Sequence, residues 1–218
     1  PDVQNDRVVR VDAVTGIITT VAGAGDNSPN IDGIPATEVF LFRPRDVAVD
    51  AADNLYILEG DFGRRVRKVD ALTGMITTVA GTDQPGFSGD GGSAIEADLN
   101  KPERIAVDGV GNLFIADSLN NRIRKVDAIS GMITTVAGRS EVFVGDGRLA
   151  TLAVLSFPQQ IAFADAGNFL IADTVTDRIR TVDPPPGTLP PLAPTANPRL
   201  PRAGAPLPPH PLPRHPTG

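Results

Sequence analysis

One block of sequence occurs four times in this chain at nearly constant spacing, and this internal repeat constrains the fold more than any other feature. The block is a basic run of β-branched residues that ends in an aspartate, and it occupies residues 7–12, 65–70, 122–127 and 178–183. Its period falls only from 58 to 56 residues along the chain. Such a repeat predicts similar supersecondary units, each of which buries its apolar face against its neighbours.

Two more blocks repeat with the same period. An Ile-Thr-Thr-Val-Ala-Gly block ends at Gly23, Gly81 and Gly138, and a longer block covers residues 44–59, 102–117 and 158–173. A complete unit therefore has four short runs rich in Val, Ile, Thr and Phe, which we call a, b, c and d, separated by Gly, Asp and Asn. This pattern is typical of strands and tight turns. Four-stranded antiparallel meanders repeated along a chain predict the blades of a β-propeller, an all-β fold.

The repeats divide the chain into four units. Residues 7–43 supply runs c and d, residues 44–101 and 102–157 supply complete blades, and residues 158–183 supply a, b and c. We therefore expect 13 strands, or about three blade equivalents, in a propeller segment that spans residues 1–183. Propellers close with about four to eight blades. This segment is predicted to be incomplete, either as a fragment of a longer protein or as one half of a homodimer joined through open propeller edges.

Residues 184–218 differ in composition from the repeats. They contain 14 of the 21 prolines and both histidines, and they lack acidic residues, Ile, Val, Met and aromatic residues. Such a stretch cannot build a core, so we expect a disordered, polyproline-like tail. A ligand for SH3-type domains and an out-of-frame reading of a GC-rich gene are alternative interpretations of the same composition.

The composition of residues 1–183 excludes several functions. They contain 17 basic and 26 acidic side chains, and this negative balance argues against binding to DNA or RNA. The chain has no cysteine, and it has no histidine outside the tail. Thiol nucleophiles, zinc–thiolate sites and histidine-based catalysis are therefore excluded from the repeats. No apolar run approaches the roughly 18 residues of a membrane span. We also expect neither a bound metal ion nor a cofactor.

Strand direction alternates in a meander, so the b–c and d–a loops share one face, which we call the long-loop face. Loops of the length of residues 82–101 and 139–157 are often functional. The loops on this face hold 14 acidic and four basic residues, which predicts an acidic surface that binds a partner. The candidate loop residues are Asp90, Asp117, Asn120, Asp146 and Asp173.

The central channel is expected to open on the same face, where run a begins. The residue pairs 45–46, 103–104 and 159–160 occupy this position and differ among the units, although their surroundings repeat. Side chains that differ among otherwise repeated segments are expected in a ligand pocket, and equally on an unused surface. Asp46, Glu103 and Gln160 are the candidate ligand-binding residues at this channel mouth.

The loop motifs also have purely structural interpretations. The acid that ends run b can pair with the arginine that opens run c, as Asp117 with Arg122. The Gly-Asp-Gly segment around Asp90 suggests calcium or phosphate, but it has too few oxygen ligands for calcium and no following helix or cation for phosphate. The alternative is a turn that folds the linker back over the blade, with Ala94 and Leu99 as apolar plugs.

The three blocks together resemble the NHL repeat. The resemblance is carried by Pro102-Glu-Arg-Ile-Ala-Val-Asp108, Gly111-Asn-Leu-Phe-Ile-Ala-Asp117 and Arg122-Ile-Arg-Lys-Val-Asp127. The Ile-Thr-Thr-Val-Ala-Gly block and the Gly-Phe-Ser-Gly-Asp-Gly-Gly motif at 86–92 are similar to the long-linker repeats of teneurin NHL domains and of bacterial surface proteins. The resemblance implies a six-bladed propeller of the TolB-like type, of which this chain supplies about half.

The resemblance also implies a function and a location. Propellers of this family mostly bind other molecules, so we expect a non-catalytic module that binds a protein or another extracellular ligand on the long-loop face. An extracellular or cell-surface location follows from the resemblance only. The family includes an amidating lyase whose metal is held by histidines, which the repeats lack. The competing hypothesis is a propeller lyase or esterase with a carboxylate-held metal in the central channel.

Overall fold

The chain folds into a series of antiparallel sheets. The computed structural model describes residues 1–25, 28–139, 146–164 and 168–183, so the predicted tail lies outside the described residues. The strands are β1 Val8–Val11, β2 Ile18–Ala22, β3 Ile34–Pro35, β4 Pro44–Val49, β5 Leu55–Glu59, β6 Arg65–Val69, β7 Met75–Ala80, β8 Pro102–Val107, β9 Leu113–Asp117, β10 Arg122–Val126, β11 Ile133–Ala137, β12 Pro158–Phe163, β13 Phe169–Asp173 and β14 Arg178–Val182. Short 3-10 turns occur at Val3–Asn5, Ala36–Glu38, Ala94–Glu96, Ser118–Asn120, Ala150–Leu152 and Thr174–Thr176. No helix in the described part of the chain is long and apolar enough to cross a membrane.

The described strands form four antiparallel sheets. Strands β8 to β11 form one four-stranded meander, β4 to β7 form a second, and the partial units form the pair β1–β2 and the three-stranded sheet β12–β13–β14. The first strands of consecutive sheets, β4, β8 and β12, lie side by side. They are therefore the inner strands, which line a central channel in a propeller. The prediction of an all-β, incomplete propeller is confirmed.

Apolar side chains fill the spaces between consecutive sheets. Three buried clusters alternate with the sheets, and each contains an Ala-x-x-Ala/Val-x-Leu segment from the long d–a linker. These linker residues are Ala36, Val39 and Leu41, then Ala94, Ala97 and Leu99, then Ala150, Ala153 and Leu155. Ala94 and Leu99 are almost fully buried, so the prediction that they act as plugs is confirmed.

The linkers also add a short fifth strand to the following blade, which the sequence analysis did not anticipate. Strand β3, which follows β2 in the linker, pairs with the outer strand β7 of the next sheet. The next linker does the same, because Ser93 forms a bridge with Met132 and the Gly91 N–H donates to the Ile133 carbonyl at 2.8 Å. Both of these linkers therefore cross from their own blade to the outer edge of the next one.

A β-bulge opens each complete inner strand. In β4 the pairing with β5 passes from Pro44 opposite Glu59 to Asp46 opposite Leu58, so that Arg45 is the extra residue. The same shift leaves Glu103 extra in β8 and Gln159 extra in β12. Bulges re-aim side chains at the ends of strands. Here they bring two consecutive side chains of each blade to the channel mouth.

Candidate functional site at the channel mouth

The side chains at the channel mouth form a chain of polar contacts across three blades. Arg45 of β4 donates from Nε to Oε2 of Glu103 in β8 at 2.8 Å, and from an Nη atom to Oδ1 of Asp61 at 2.9 Å. Lys101 Nζ lies 3.8 Å from the other oxygen of Glu103. Glu103 is buried, and two cations therefore compensate its charge.

Asp46 links the inner strands of two blades. Its Oδ2 accepts the backbone N–H of Ile105 in β8 at 2.8 Å. Burial raises the pKa of the Asp46 carboxyl, and the hydrogen bond from Ile105 and the charge of Arg104 partly oppose this shift. One of the two carboxylate oxygens is thus engaged in holding the blades together.

An open cavity of about 520 Å³ lies between β8 and β12 on the long-loop face. Its lining residues are Arg45, Glu103, Arg104, Gln159, Gln160, Ala172 and Thr174. Arg104 Nε donates to Oε1 of Gln160 at 3.2 Å, and the Thr174 hydroxyl donates to Oε1 of Gln159 at 3.2 Å. Two of the three predicted channel-mouth residues, Glu103 and Gln160, share this cavity, and Asp46 lies on the adjacent inner strand.

The predicted loop acids lie elsewhere, around three buried arginines in equivalent positions of strand c. Arg67, Arg124 and Arg180 are fully or almost fully buried, and each pairs with the acid that ends strand b of its own blade and with an aspartate of the preceding linker. We call this arrangement the arginine bridge. Its acid pairs are Glu59 with Asp32, Asp117 with Asp90, and Asp173 with Asp146.

The arginine bridge around Arg124 illustrates the arrangement of these contacts. Its Nη atoms lie 2.8 Å from Asp90 Oδ1 and 3.5 Å from Asp117 Oδ2. The other oxygen of Asp117 accepts the backbone N–H of Asn100 at 2.7 Å, and Asp90 Oδ2 accepts the hydroxyl of Thr135 at 2.6 Å. The second Thr of the Ile-Thr-Thr-Val-Ala-Gly block therefore completes the contact between linker and blade.

The predicted pairing of Asp117 with Arg122 is wrong. Asp117 pairs with Arg124, whereas the guanidinium of Arg122 packs 3.8 Å from the ring centre of Phe87 and donates to the Asn120 carbonyl. Arg122 lies opposite Asp117 in the register, and Arg124 is on the same face of β10. The Arg122 guanidinium is held by Phe87 and the Asn120 carbonyl, whereas the Arg124 guanidinium is buried between Asp117 and Asp90. Asn120, a candidate ligand-binding residue of the loop, donates to the Gly86 carbonyl at 2.7 Å and to Asp117 at 2.8 Å.

The long-loop face is less acidic than the count of charges predicts. Seven of its 14 acids are paired with arginines, and they are Asp32, Glu59, Asp61, Asp90, Asp117, Asp146 and Asp173. Asp26 and Glu141 lie outside the described residues. The count omitted the strand c arginines, whose side chains reach this face. A signal for the bridge was present in the sequence, because the inner arginine of strand c and the linker aspartate recur together, while the first unit has Val9 at the arginine position.

The chain is similar to several known proteins. The family model of the teneurin NHL domain matches residues 83–144. Teneurin-1 of Gallus gallus is 38% identical over 191 residues, which cover 77% of this chain and 7% of that protein. Protein SUPPRESSOR OF QUENCHING 1, chloroplastic, of Arabidopsis thaliana is 28% identical over 174 residues, which cover 76% of this chain and 16% of that protein. The chain therefore spans a small part of these curated relatives.

Solved structures agree with the fold. An auxiliary nutrient binding protein from Bacteroides ovatus superimposes with a TM-score of 0.60 at 19% identity, over 83% of this chain and 44% of that chain. A gluconolactonase from Xanthomonas campestris superimposes with a TM-score of 0.59 at 16% identity, over 87% of this chain and 55% of that chain. The structure is thus an incomplete β-propeller. The family model and the curated relatives support the assignment of these repeats to the NHL repeat family.

Proposed function

We propose that this chain is a non-catalytic interaction module that binds a protein partner or another extracellular ligand on the long-loop face, around the channel mouth. One observation carries the proposal. The same bulge opens the inner strand of three consecutive blades, but it presents Arg45 and Asp46 in one, Glu103 and Arg104 in the next, and two glutamines in the third. A repeated backbone with different side chains is suited to recognising one asymmetric ligand.

The arginine bridges support the same proposal by elimination. They account for Asp90, Asp117, Asp146 and Asp173 as contacts between linker and blade. The candidate ligand-binding set is thereby narrowed to Asp46, Glu103 and Gln160 with their neighbours. The proposed binding surface is still the long-loop face that the sequence predicts. Its candidate residues and their neighbours carry both positive and negative charges, so the surface is not predominantly acidic.

The second candidate function is a lyase or esterase. The gluconolactonase has the same fold, but at 16% identity this similarity concerns the fold alone. Among the described residues, no group of three or more His, Cys, Asp or Glu side chains is arranged to hold a metal ion. Metal content of the purified full chain, together with lactone hydrolysis, distinguishes the two: a stoichiometric ion and turnover would favour the enzyme.

Site-specific photo-cross-linking tests the interaction face. Leu119 and Val175 are exposed in b–c loops of the long-loop face, and Leu72 and Ile129 are exposed at c–d turns of the opposite face. A photoreactive amino acid is introduced at each position in turn, and the variants are irradiated in extracts of the source organism. We expect the same adduct from both long-loop positions and none from the c–d positions.

The opposite pattern would overturn the proposed face. Equal cross-linking from all four positions would show non-specific contact, and adducts from Leu72 and Ile129 alone would move the partner to the other side. The extracellular location stays a prediction from the resemblance, since one relative is named as a chloroplastic protein. Surface labelling of intact cells tests it.

A further inference from the structure

We propose that the cavity between β8 and β12 binds a carboxylate group, with the Arg104 guanidinium as its main contact. This inference rests on the proposed binding role of the channel mouth and specifies the chemistry of its ligand. The carboxylate could belong to a small organic acid or to an Asp or Glu side chain of a partner.

The contacts of Arg104 set it apart from the arginines that join the blades. Arg104 donates to two neutral oxygens, Oε1 of Gln160 at 3.2 Å and the carbonyl of Glu103 at 3.0 Å. Among the described residues, no carboxylate oxygen lies within ion-pair distance of it, whereas Arg45 and the three arginines of the arginine bridges each pair with two acids. The guanidinium is thus positioned by neutral groups, and its charge lacks a contacting counter-ion there.

The nearby acids are already engaged. Glu103 is held by Arg45 and Lys101. Asp46 is close enough for the charge of Arg104 to act on it, but its Oδ2 accepts the Ile105 N–H and it does not contact the guanidinium. A competing internal partner for Arg104 is therefore missing from the described side chains.

The glutamines add donors to the same cavity. Arginine can only donate, so the Gln160 amide must direct its oxygen at Arg104, which leaves the Gln160 amide N–H groups to donate elsewhere. The Gln159 oxygen similarly accepts from Thr174. A cation with surrounding donors favours an anionic acceptor, and the planar fork of a guanidinium matches a carboxylate with two parallel hydrogen bonds.

Titration of the full chain with defined probes tests this chemistry. The probes are succinate, with succinamide as its neutral control, and the peptide acetyl-Gly-Glu-Gly-amide, with its Gln analogue as control. The readout is the NMR signal of the Arg104 Nε–H group and the Ile105 amide. We expect saturable shifts with a dissociation constant of the order of 1 mM for at least one acid, a value typical of small ligands with few contacts. The neutral controls should cause none.

Three variants locate the binding. Arg104→Gln introduces the residue that β12 already carries at the equivalent position after its bulge, Gln160, so the backbone tolerates it. This variant should weaken binding at least about tenfold. Gln160→Glu places a carboxylate beside Arg104 and should block the probe to a similar degree. Arg148→Gln removes the same charge from an exposed position on a long loop and should leave the dissociation constant unchanged within about twofold.

The outcomes separate this inference from the proposed function. Failure of both acids to bind, equal binding of the neutral controls, or unchanged binding by Arg104→Gln would overturn the carboxylate site, even if cross-linking confirms the long-loop face. Binding that depends on Arg104 supports the carboxylate site even if cross-linking gives no adduct. The missing adduct would then contradict only the proposal of a protein partner. Tighter binding of the peptide or of succinate identifies the source of the carboxylate.

Discussion

At the scale of single residues, Arg124 joins the linker to the blade by ion pairs. It is fully buried and joins Asp117 of its own blade to Asp90 of the preceding linker. Arg124→Met should lower the free energy of unfolding by about 3–5 kcal/mol, because Asp117 is then buried without its cation. Urea denaturation measures the loss.

The adjacent residue supplies a matched control. Lys125 follows Arg124 on β10, is only partly buried, and forms no bridge. Lys125→Met should change the free energy of unfolding by less than about 1 kcal/mol. Similar losses in the two variants would show that the arginine bridge has no special role.

Two aspartates should respond to pH with opposite sign. Burial raises the pKa of Asp117 to about 6, so the folded chain holds a proton that the unfolded chain has released, and this group lowers stability as pH rises from about 4 to about 6. Hydrogen bonds from the backbone and hydroxyl of Ser130 lower the pKa of the exposed Asp127. The stability that ionised Asp127 contributes to the fold is present at neutral pH and is lost only when the pH falls through its lowered pKa.

Carbon-13 NMR titration of the carboxyl groups measures both values. We expect a midpoint near 6 for Asp117 and below the ordinary 3.8 for Asp127. Asp117→Asn should remove the component of stability that depends on pH between about 4 and 6. An Asp117 midpoint below 4 would show that the cation and hydrogen bonds outweigh desolvation.

At the scale of elements, the long linker behaves as part of the core and not as a surface loop. Leu99 is fully buried between two sheets, whereas Leu72 at a c–d turn is 97% exposed. Leu99→Ala should lower the free energy of unfolding by about 2–5 kcal/mol, the range for buried leucines. Leu72→Ala should change it by less than about 0.5 kcal/mol. Equal effects in thermal or urea unfolding would contradict this packing.

At the scale of the whole molecule, the outermost sheets offer edges for further pairing. Among the described residues, β14 pairs only with β13 and β1 only with β2, and Ile179 of β14 and Val11 of β1 are 46% and 61% exposed. Exposed apolar edge strands promote association. We therefore expect the apparent mass in light scattering to rise with concentration.

A positive charge on the edge strand β14 tests whether strand pairing causes the association. Ile179→Lys places a cation on β14 and should reduce the concentration dependence, since charged edges discourage strand pairing. Val175→Lys adds the same charge to a nearby loop and should not reduce it. A monomer of constant mass in the unmodified chain would refute the argument from edges.

The sequence by itself determined the order of strands a to d within a unit and the all-β class. These follow from local patterns, because alternation, turn residues and a repeat of 56 to 58 residues report the backbone of each unit. The burial of Ala94 and Leu99 was predictable for the same reason, since an apolar position that recurs in a polar linker indicates a packing contact.

Only the tertiary structure decided which side chains meet. Asp90 and Arg124 are 34 residues apart, and Arg104 and Gln160 are 56 apart on different blades. The joint recurrence of the strand c arginine and the linker aspartate is a signal for the first pair. The contact geometry of both pairs depends on the angle and offset between consecutive sheets, which local periodicity does not report. The bulges likewise became apparent only in the tertiary structure. They matter because a one-residue shift in register redirects every following side chain. For this reason the acids that looked most available for a ligand became blade contacts, and Arg104 emerged as the binding candidate.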